Sequence, residues 1–113
     1  MNLFTYAQFK QRESIESQIR RNLEIDPIHG RLPGFKMAGN VHGQTTVIPS
    51  EEETVAGIIW RGLSNEDLTK LDAYMTPIWN REQHKVLVLP WFPLAHEMCV
   101  IDAWVYVQPV VSV

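Results

Sequence analysis

The residues that could do chemistry are few, and their spacing does not match common metal or thiol sites. Four histidines are scattered along the chain, namely His29, His42, His84 and His96. None of the intervals between them is typical of zinc or non-haem iron. Cys99 follows His96 by three residues, and in a strand this spacing places the two side chains on opposite faces. We therefore expect no metal site and no Cys–His catalytic pair, and we expect Cys99 to be a small buried hydrophobic residue.

The glycine patterns that bind nucleotide phosphates are also missing. The sequence contains neither a Walker loop nor a dinucleotide-binding fingerprint. The segment AGNVHG (38–43) holds two glycines, but it follows a weak strand pattern and leads into no helix. We expect no cofactor.

A methionine ends an ordinary helical pattern at 68–75, LTKLDAYM. Leu68, Leu71 and Met75 fall at i, i+3 and i+7, the spacing of one helical face. Pro77 ends the pattern because proline has no N–H to donate and clashes with the preceding turn. Met75 is thus the last inward position before the break. It is either a core residue or a replacement for a charged residue that would do chemistry.

Length and composition indicate a small globular protein. The chain has 113 residues, 45% of them hydrophobic, and a formal charge of −3, so we expect a single domain over 1–113. Its lysines and arginines are scattered apart from Arg20–Arg21, which is not the pattern of a nucleic-acid-binding protein. No apolar run is long enough to cross a bilayer, and residues 1–10 do not resemble a signal peptide. The single cysteine fits a reducing compartment, so we predict a cytoplasmic protein with no membrane or nucleic-acid partner.

Hydrophobic periodicity predicts an α+β fold. The expected strands cover 2–6, 34–39, 44–48, 54–63, 84–89 and 98–108, and the expected helices cover 14–23 and 64–75. Prolines and glycines within 25–43 allow only short strands, and the acidic run 51–53 predicts a solvated loop. Gly57 indicates a bulge or a close backbone approach, and Ser64-x-x-Asp67 predicts a helix capping box. This order favours a mostly antiparallel sheet that curls into a small barrel.

Five stretches, in order, resemble motifs of the γ-glutamyl cyclotransferase-like family, including its plant avirulence-induced-gene type. LFTYAQFK (3–10) resembles the family's "vfVYGTLk", LPGFKMAG (32–39) its "l.Gyrly..g", and residues 54–75 its "V.GelY.l.de.l..LD.yE". IWNREQHKVLVL (78–89) resembles "eY.R..v.V", and DAWVYV (102–107) resembles "A.vYv". The resemblance implies a small mixed, mostly antiparallel β-barrel with flanking helices, in agreement with the periodicity.

The resemblance also implies where a site would lie. In the family, backbone N–H groups of the YGTL loop hold the substrate's carboxylate and amide oxygen. The glutamate that ends "LD.yE" takes a proton from the α-amine of a γ-glutamyl group, and the amine then attacks the side-chain amide carbon to release 5-oxoproline. Aligned by residue, the loop here is Tyr6-Ala7-Gln8-Phe9, Met75 occupies the glutamate position, and Trp79 occupies the aromatic position of "eY.R". These six residues are the expected ligand pocket.

Two departures from the family pattern bear on activity. A thioether cannot remove a proton, and loss of a general base typically costs ~10²–10⁴ in rate. Ala7 also replaces the glycine that permits close backbone approach, and Gln8 replaces the threonine. Asp72 and Glu82 are not expected to point into the pocket. We therefore favour a catalytically degenerate protein without a catalytic residue. The alternative is an active cyclotransferase-type enzyme that releases 5-oxoproline with a different base.

A degenerate protein would act by binding a protein or a small molecule, and two segments are candidates for contact with a partner. Trp91 and Phe92 lie between two prolines in PWFP (90–93), where they either meet a partner or fold back over the barrel. The tail VQPVVSV (107–113) either pairs with a second chain, which would give a homo-oligomer, or closes the sheet within its own chain. A purely structural or oligomeric role is the third hypothesis.

Overall fold

The computed structural model describes residues 1–39, 45–75, 79–88 and 99–108. The elements in chain order are β1 (Leu3–Thr5), α1 (Arg12–Ile19), β2 (Ile28–Gly39), β3 (Thr45–Trp60), α2 (Asn65–Met75), β4 (Asn80–Val88) and β5 (Cys99–Val107). The predictions made for His42, Pro77, the PWFP segment, His96, the Cys99 side chain and the tail beyond Gln108 lie outside the described residues.

The five strands form a closed barrel in the order β1-β3-β2-β4-β5. Strand β1 runs parallel to β5, with Leu3 opposite Trp104, and antiparallel to β3, with Leu3 opposite Trp60. The remaining strand pairs are antiparallel. The predicted fold class, a small mixed and mostly antiparallel barrel with flanking helices, is confirmed.

Closure of the barrel depends on a glycine. A side-chain carbon at Gly57 would overlap the carbonyl oxygen of Thr5 and the ring of Phe4. Glycine at this position therefore lets β1 lie close against β3, which confirms the close approach predicted from its place within a strand.

Strand β2 is longer than the sequence indicates. The expectation of only short strands within 25–43 is wrong, because β2 runs through Gly30, Pro33 and Gly34 to Gly39. Its ladder with β3 shifts register between Pro33 and Phe35, and Gly34 there has a positive φ of 83°. The bulge accommodates both residues that would otherwise break a strand. Long-range pairing with β3 therefore overrides the local signals.

The acidic run lies within a strand, so the prediction of a loop at 51–53 is wrong. Strand β3 joins the two separately predicted strands 44–48 and 54–63 and ends at Trp60. Its ladder with β2 passes directly from Thr54 to Pro49, and residues 50–53 bulge out between them. The three glutamates are exposed, as expected of a solvated charge run.

Helix α1 starts two residues earlier and ends four residues earlier than the pattern predicts. Arg20 adopts a left-handed conformation with φ 62° and donates its N–H to the carbonyl of Glu16, which terminates the helix. Ile15 and Ile19 are buried as expected. Leu23 is buried too, although it lies beyond the helix. Leu23 therefore extends the buried apolar face of α1, although it is not part of the helix.

Helix α2 begins with the predicted capping box. The Ser64 N–H donates to the Asp67 carboxylate at 2.9 Å, and the Asp67 N–H donates to the Ser64 hydroxyl at 3.1 Å. Arg21 Nε lies 3.0 Å from Asp67 Oδ1 and joins the end of α1 to the start of α2. The Arg21 guanidinium lowers the pKa of the buried Asp67 carboxyl to about 2, with further help from Ser64.

The core fills the barrel and the space beneath the helices. Its largest fully buried side chains are Trp60, Phe4, Leu3, Ile15, Ile19, Leu32, Ile59, Leu68, Leu71, Val47, Val86 and Val105. In the ranges that the structure describes, no helix is long and apolar enough to cross a membrane.

Replacing Asp67 by Asn should destabilise the protein, because it removes the ion pair with Arg21. The pKa of Asp67 is lower in the folded state than the ordinary value of 3.8. The stabilisation is therefore fully present above about pH 4 and is lost as the pH falls toward about 2. We expect a cost of about 1–2 kcal/mol at neutral pH, since Arg21 is partly exposed. Thermal denaturation of both proteins between pH 2 and pH 7 measures the difference.

The matched control is Glu66→Gln, which removes an exposed carboxylate that pairs with Lys70 on the same helix at 3.5 Å. It should change stability by less than about 0.5 kcal/mol. A melting temperature of the Asp67 variant equal to that of this control at pH 7 would contradict the role given to Asp67.

Candidate functional site

The loop that follows β1 is held by a buried indole. Trp60 Nε1 donates to the carbonyl of Phe9 at 2.7 Å, and both residues are buried. Ala7 and Phe9 form an isolated β-bridge within the loop. Residues 6–9 therefore have a defined backbone conformation. Spacing along the chain does not predict this contact between Trp60 and Phe9, because the two residues are 51 positions apart.

The unusual backbone conformation in this loop lies at Phe9. Phe9 has a φ of 61°, in the left-handed region that non-glycine residues rarely adopt. Ala7, which stands at the family's glycine position, has no positive φ. The backbone at Ala7 therefore needs no glycine, and the alanine methyl group alters the exposed mouth of the site without straining the loop.

A tyrosine joins the loop to β5. The Tyr6 hydroxyl donates to the carbonyl of Tyr106 at 2.7 Å, and the hydrogen bond is buried. Burial raises the pKa of Tyr6 to about 12 and also raises the pKa of Tyr106. Both phenols therefore hold their protons at neutral pH.

Met75 is the last residue of α2 and is buried, as are Leu68 and Leu71 on the same face. The predicted inward position of Met75 is confirmed. The N–H of Trp79 donates to the carbonyl of Met75 at 3.2 Å, and Trp79 is also buried. Met75 and Trp79, which were both assigned to the pocket, are therefore close in sequence and joined by a backbone hydrogen bond.

The structure brings the six predicted pocket residues together around one cavity. Its lining consists of Phe4, Thr5, Tyr6, Ala7, Gln8, Phe9, Thr45, Met75, Trp79 and Tyr106. The empty space is about 270 Å³ when the mouth is included, but the centre of a water molecule can occupy only about 10 Å³ of it. The interior thus holds about one water molecule. Sequence reasoning did not place Phe4, Thr5, Thr45 and Tyr106 here.

Among the described residues that line the cavity, none has a carboxylate, imidazole, amine or thiol side chain. Its titratable groups are Tyr6 and Tyr106, whose pKa values are both raised by burial. Across the described residues, no three His, Cys, Asp or Glu side chains are grouped so that they could hold a metal ion. The described part of the lining is therefore uncharged at neutral pH.

A polar cluster lies next to the cavity and joins three of the motif stretches. Asp72 accepts a hydrogen bond from the Tyr106 hydroxyl at 2.7 Å. Arg81 Nε lies 3.0 Å from the same carboxylate oxygen, but its N–H is not directed at that oxygen, so this contact is an ion pair rather than a hydrogen bond. The Arg81 guanidinium also lies 4.5 Å above the ring of Trp104. This cluster fixes the last turn of α2 against β4 and β5.

Glu82, the second carboxylate that the sequence offered as a possible base, also contacts another side chain. Its Oε1 lies 3.0 Å from Nε2 of His84, on the exposed side of β4. Neither Asp72 nor Glu82 lines the cavity.

The sequence and the fold match known proteins. The model of the family described as "Gamma-glutamyl cyclotransferase, AIG2-like" matches residues 3–112. The chain belongs to this family. AIG2-like protein B of Arabidopsis thaliana is 34% identical over 74 residues, which is 63% of this chain and 41% of that protein. The family recognised from the sequence motifs is thereby confirmed.

Solved structures agree with the assignment to the γ-glutamyl cyclotransferase, AIG2-like family. A solution structure of an Arabidopsis thaliana protein has a TM-score of 0.77 at 20% identity and covers 95% of this chain and 67% of that one. A structure described as a γ-glutamyl cyclotransferase has a TM-score of 0.74 at 19% identity and covers 96% of this chain and 66% of that one. At these identities the likeness shows the fold.

This family member is shorter than the proteins it matches. It spans 41% of the Arabidopsis relative and about two thirds of the solved structures. The expectations of a single domain over 1–113 and of a cytoplasmic location stay predictions.

Replacing Met75 by Ala should lower the melting temperature clearly. Met75 is 4% exposed and lies in the core with Leu68 and Leu71, and truncation of such a residue typically costs ~2–5 kcal/mol. Thr69→Ala, at an exposed position of the same helix, is the matched control and should change stability by less than about 0.5 kcal/mol. Equal melting temperatures for the two variants would show that Met75 contributes no core packing.

Met75→Glu should also destabilise the protein, because it buries a carboxyl group in a cavity whose described lining residues include no cation. We expect no 5-oxoproline release from this variant while Ala7 and Gln8 remain. Release from this variant alone would show that residue 75 is sufficient to restore catalysis.

Proposed function

We propose that this chain is a catalytically degenerate γ-glutamyl cyclotransferase-like protein that acts by binding a protein partner or a small ligand. The observation that supports this most directly is the cavity lining, which has Met75 at the end of α2 and, among the residues that the structure describes, no carboxylate. Cyclisation of a γ-glutamyl group requires the α-ammonium to lose a proton before its nitrogen can attack. A thioether cannot accept that proton.

The remaining groups near the cavity are poor substitutes for a base. The phenols of Tyr6 and Tyr106 have raised pKa values, so very little phenolate is present near pH 7. Asp72 accepts a hydrogen bond from Tyr106 and pairs with Arg81, and Glu82 lies beside His84. Each carboxylate that was considered as a replacement is thus already bound to another side chain.

The small interior favours binding at the mouth over binding deep inside. Ligand pockets typically enclose ~300–1,000 Å³, whereas this cavity has room for about one water molecule. Tyr6, Gln8 and Trp79 line it, and Gln8 is partly exposed. A ligand that meets these residues would contact the mouth of the family pocket without filling its depth.

One observation favours the alternative, an active enzyme with a different base. Tyr106 lines the cavity, and its hydroxyl donates a hydrogen bond to Asp72. A phenol in this arrangement can accept a proton from an amine while it passes its own proton to the carboxylate. In this alternative Asp72 is the base, acting through Tyr106.

We expect no 5-oxoproline release from γ-glutamyl amino acids, glutathione or γ-glutamylamines above the rate without protein, because no described residue of the cavity lining is a suitable base. Chromatographic quantification of 5-oxoproline over several hours measures this directly. Turnover above background would contradict the degenerate function.

If turnover is found, two variants identify its origin. Asp72→Asn should abolish it if the proton passes through Tyr106. Asp102→Asn, which removes an exposed carboxylate paired with Lys85, should leave it unchanged. Equal rates for both variants would exclude Asp72 as the base.

For a protein partner, Trp91 and Phe92 are our proposed contacts. Trp is among the residues that most often dominate interface energetics, and flanking prolines limit the entropy lost on docking. Replacing both rings by Ala should leave the melting temperature within about 2 °C of the parent and abolish capture of the partner. A large fall in melting temperature would assign the two rings to the core instead.

A further inference from the structure

The loop that borders the cavity, residues 6–9, is held at both ends by buried hydrogen bonds. Its first residue, Tyr6, donates its hydroxyl proton to the carbonyl of Tyr106 in a bond of 2.7 Å. Its last residue, Phe9, accepts a bond of 2.7 Å from the indole N–H of Trp60. Phe9 has a φ of 61°, a strained conformation for a bulky residue that persists only where surrounding contacts enforce it. The hydrogen bond from Trp60 therefore holds Phe9 against a local tendency to relax.

The indole that holds Phe9 is itself covered by a cation. The guanidinium carbon of Arg12, the first residue of α1, lies 5.7 Å from the centre of the Trp60 ring, within the range of a cation–π contact. The same guanidinium donates to the carbonyl of Leu23 at 2.7 Å and pairs with Asp26 at 3.0 Å. These two contacts fix the position of Arg12 over the ring. Trp60 is thus held between the loop and the segment that follows α1.

The loop is the part of the cavity lining that can move with little disruption of the core. Ala7 is exposed and Gln8 is partly exposed, whereas Met75 and Trp79 belong to the buried core. The centre of a water molecule can at present occupy only about 10 Å³ of the cavity. Outward movement of residues 7–9 would therefore enlarge a space that is now almost filled.

We propose that residues 6–9 form a gate, that the structure shows its closed state, and that Arg12 and Trp60 form the latch that keeps it closed. In the open state Phe9 leaves the left-handed region, its carbonyl separates from Trp60, and the cavity widens enough to admit a small apolar ligand. Relief of the strain at Phe9 favours opening, and the latch opposes it.

The gate goes beyond the proposed function, since it would serve a binding protein and an enzyme equally. In the closed state only the mouth of the cavity can meet a ligand. The open state extends that contact into the interior, so the fraction of open molecules limits the apparent affinity for anything that binds there.

Hydrogen exchange measured by ¹H–¹⁵N NMR reports opening of the gate. The indole N–H of Trp60 is buried and bonded to Phe9 in the closed state, so it exchanges only when this contact breaks. The amide of Val105, a fully buried residue of β5, reports unfolding of the barrel. The ratio of the two exchange rates therefore separates gate opening from loss of the fold.

Arg12→Met tests the latch, because it removes the guanidinium and leaves an unbranched apolar side chain beside the ring. Arg12 is partly exposed, so we expect the variant to fold. The exchange rate of the Trp60 indole N–H should rise by about two- to ten-fold relative to that of the Val105 amide, the effect expected from loss of the cation–π contact and the ion pair. An unchanged ratio would make Arg12 a purely structural residue and overturn the proposal.

The matched control is Arg21→Met, beyond the other end of α1, where the guanidinium binds Asp67 instead of covering Trp60. This variant should speed exchange of the Val105 amide by destabilising the fold and leave the ratio unchanged. A rise in the ratio equal to that of the Arg12 variant would show a general loosening of α1 and would also overturn the latch.

Xenon tests whether opening gives access to the cavity, because it is apolar and binds in apolar cavities. The probe signal is the methyl group of Met75, which lines the interior, followed by ¹H–¹³C NMR under xenon pressure. We expect a higher apparent xenon affinity in Arg12→Met than in the parent, by the same factor as the exchange ratio. Equal affinities in the two proteins would mean that opening does not reach the cavity and would overturn the gate.

The gate and the proposed function fail in different ways. Release of 5-oxoproline by the parent protein would overturn the degenerate function and leave the gate standing. An exchange ratio that Arg12→Met does not change would overturn the gate alone.

Discussion

The shortest strand of the barrel controls both its closure and its site. Strand β1 has three residues, yet it pairs with β3 on one side and with β5 on the other. It can lie there because Gly57 offers no side chain against Thr5 and Phe4. The loop that forms one wall of the cavity begins at the next residue, Tyr6. The same strand therefore closes the barrel and positions the loop that forms one wall of the cavity.

The features that were predicted well from the sequence are those determined by residues close to one another along the chain. The capping box of Ser64 and Asp67, the close approach at Gly57 and the inward position of Met75 follow from local spacing, and the structure contains each of them. The predicted lengths of β2 and β3 were wrong. Pairing between the two strands overrides the local tendency of prolines and glycines to end a strand. The pocket residues came from family motifs.

Contacts between distant segments could not be predicted from spacing. The hydrogen bond from Trp60 to Phe9 spans 51 positions and that from Tyr6 to Tyr106 spans 100. Thr45 and Tyr106 reach the cavity only because the barrel brings the start of β3 and the end of β5 beside the loop. The left-handed conformation of Phe9 was likewise unexpected, since phenylalanine has no local preference for it.

The cluster of Asp72, Arg81 and Tyr106 has a consequence for how this protein family can diverge. These three side chains fasten the last turn of α2 to β4 and β5 without any contribution from the side chain at position 75. A mutation at that position therefore alters the cavity lining and the local core packing, while these polar contacts of the helix remain. The polar anchorage of α2 and the chemistry of the cavity can therefore vary independently of each other.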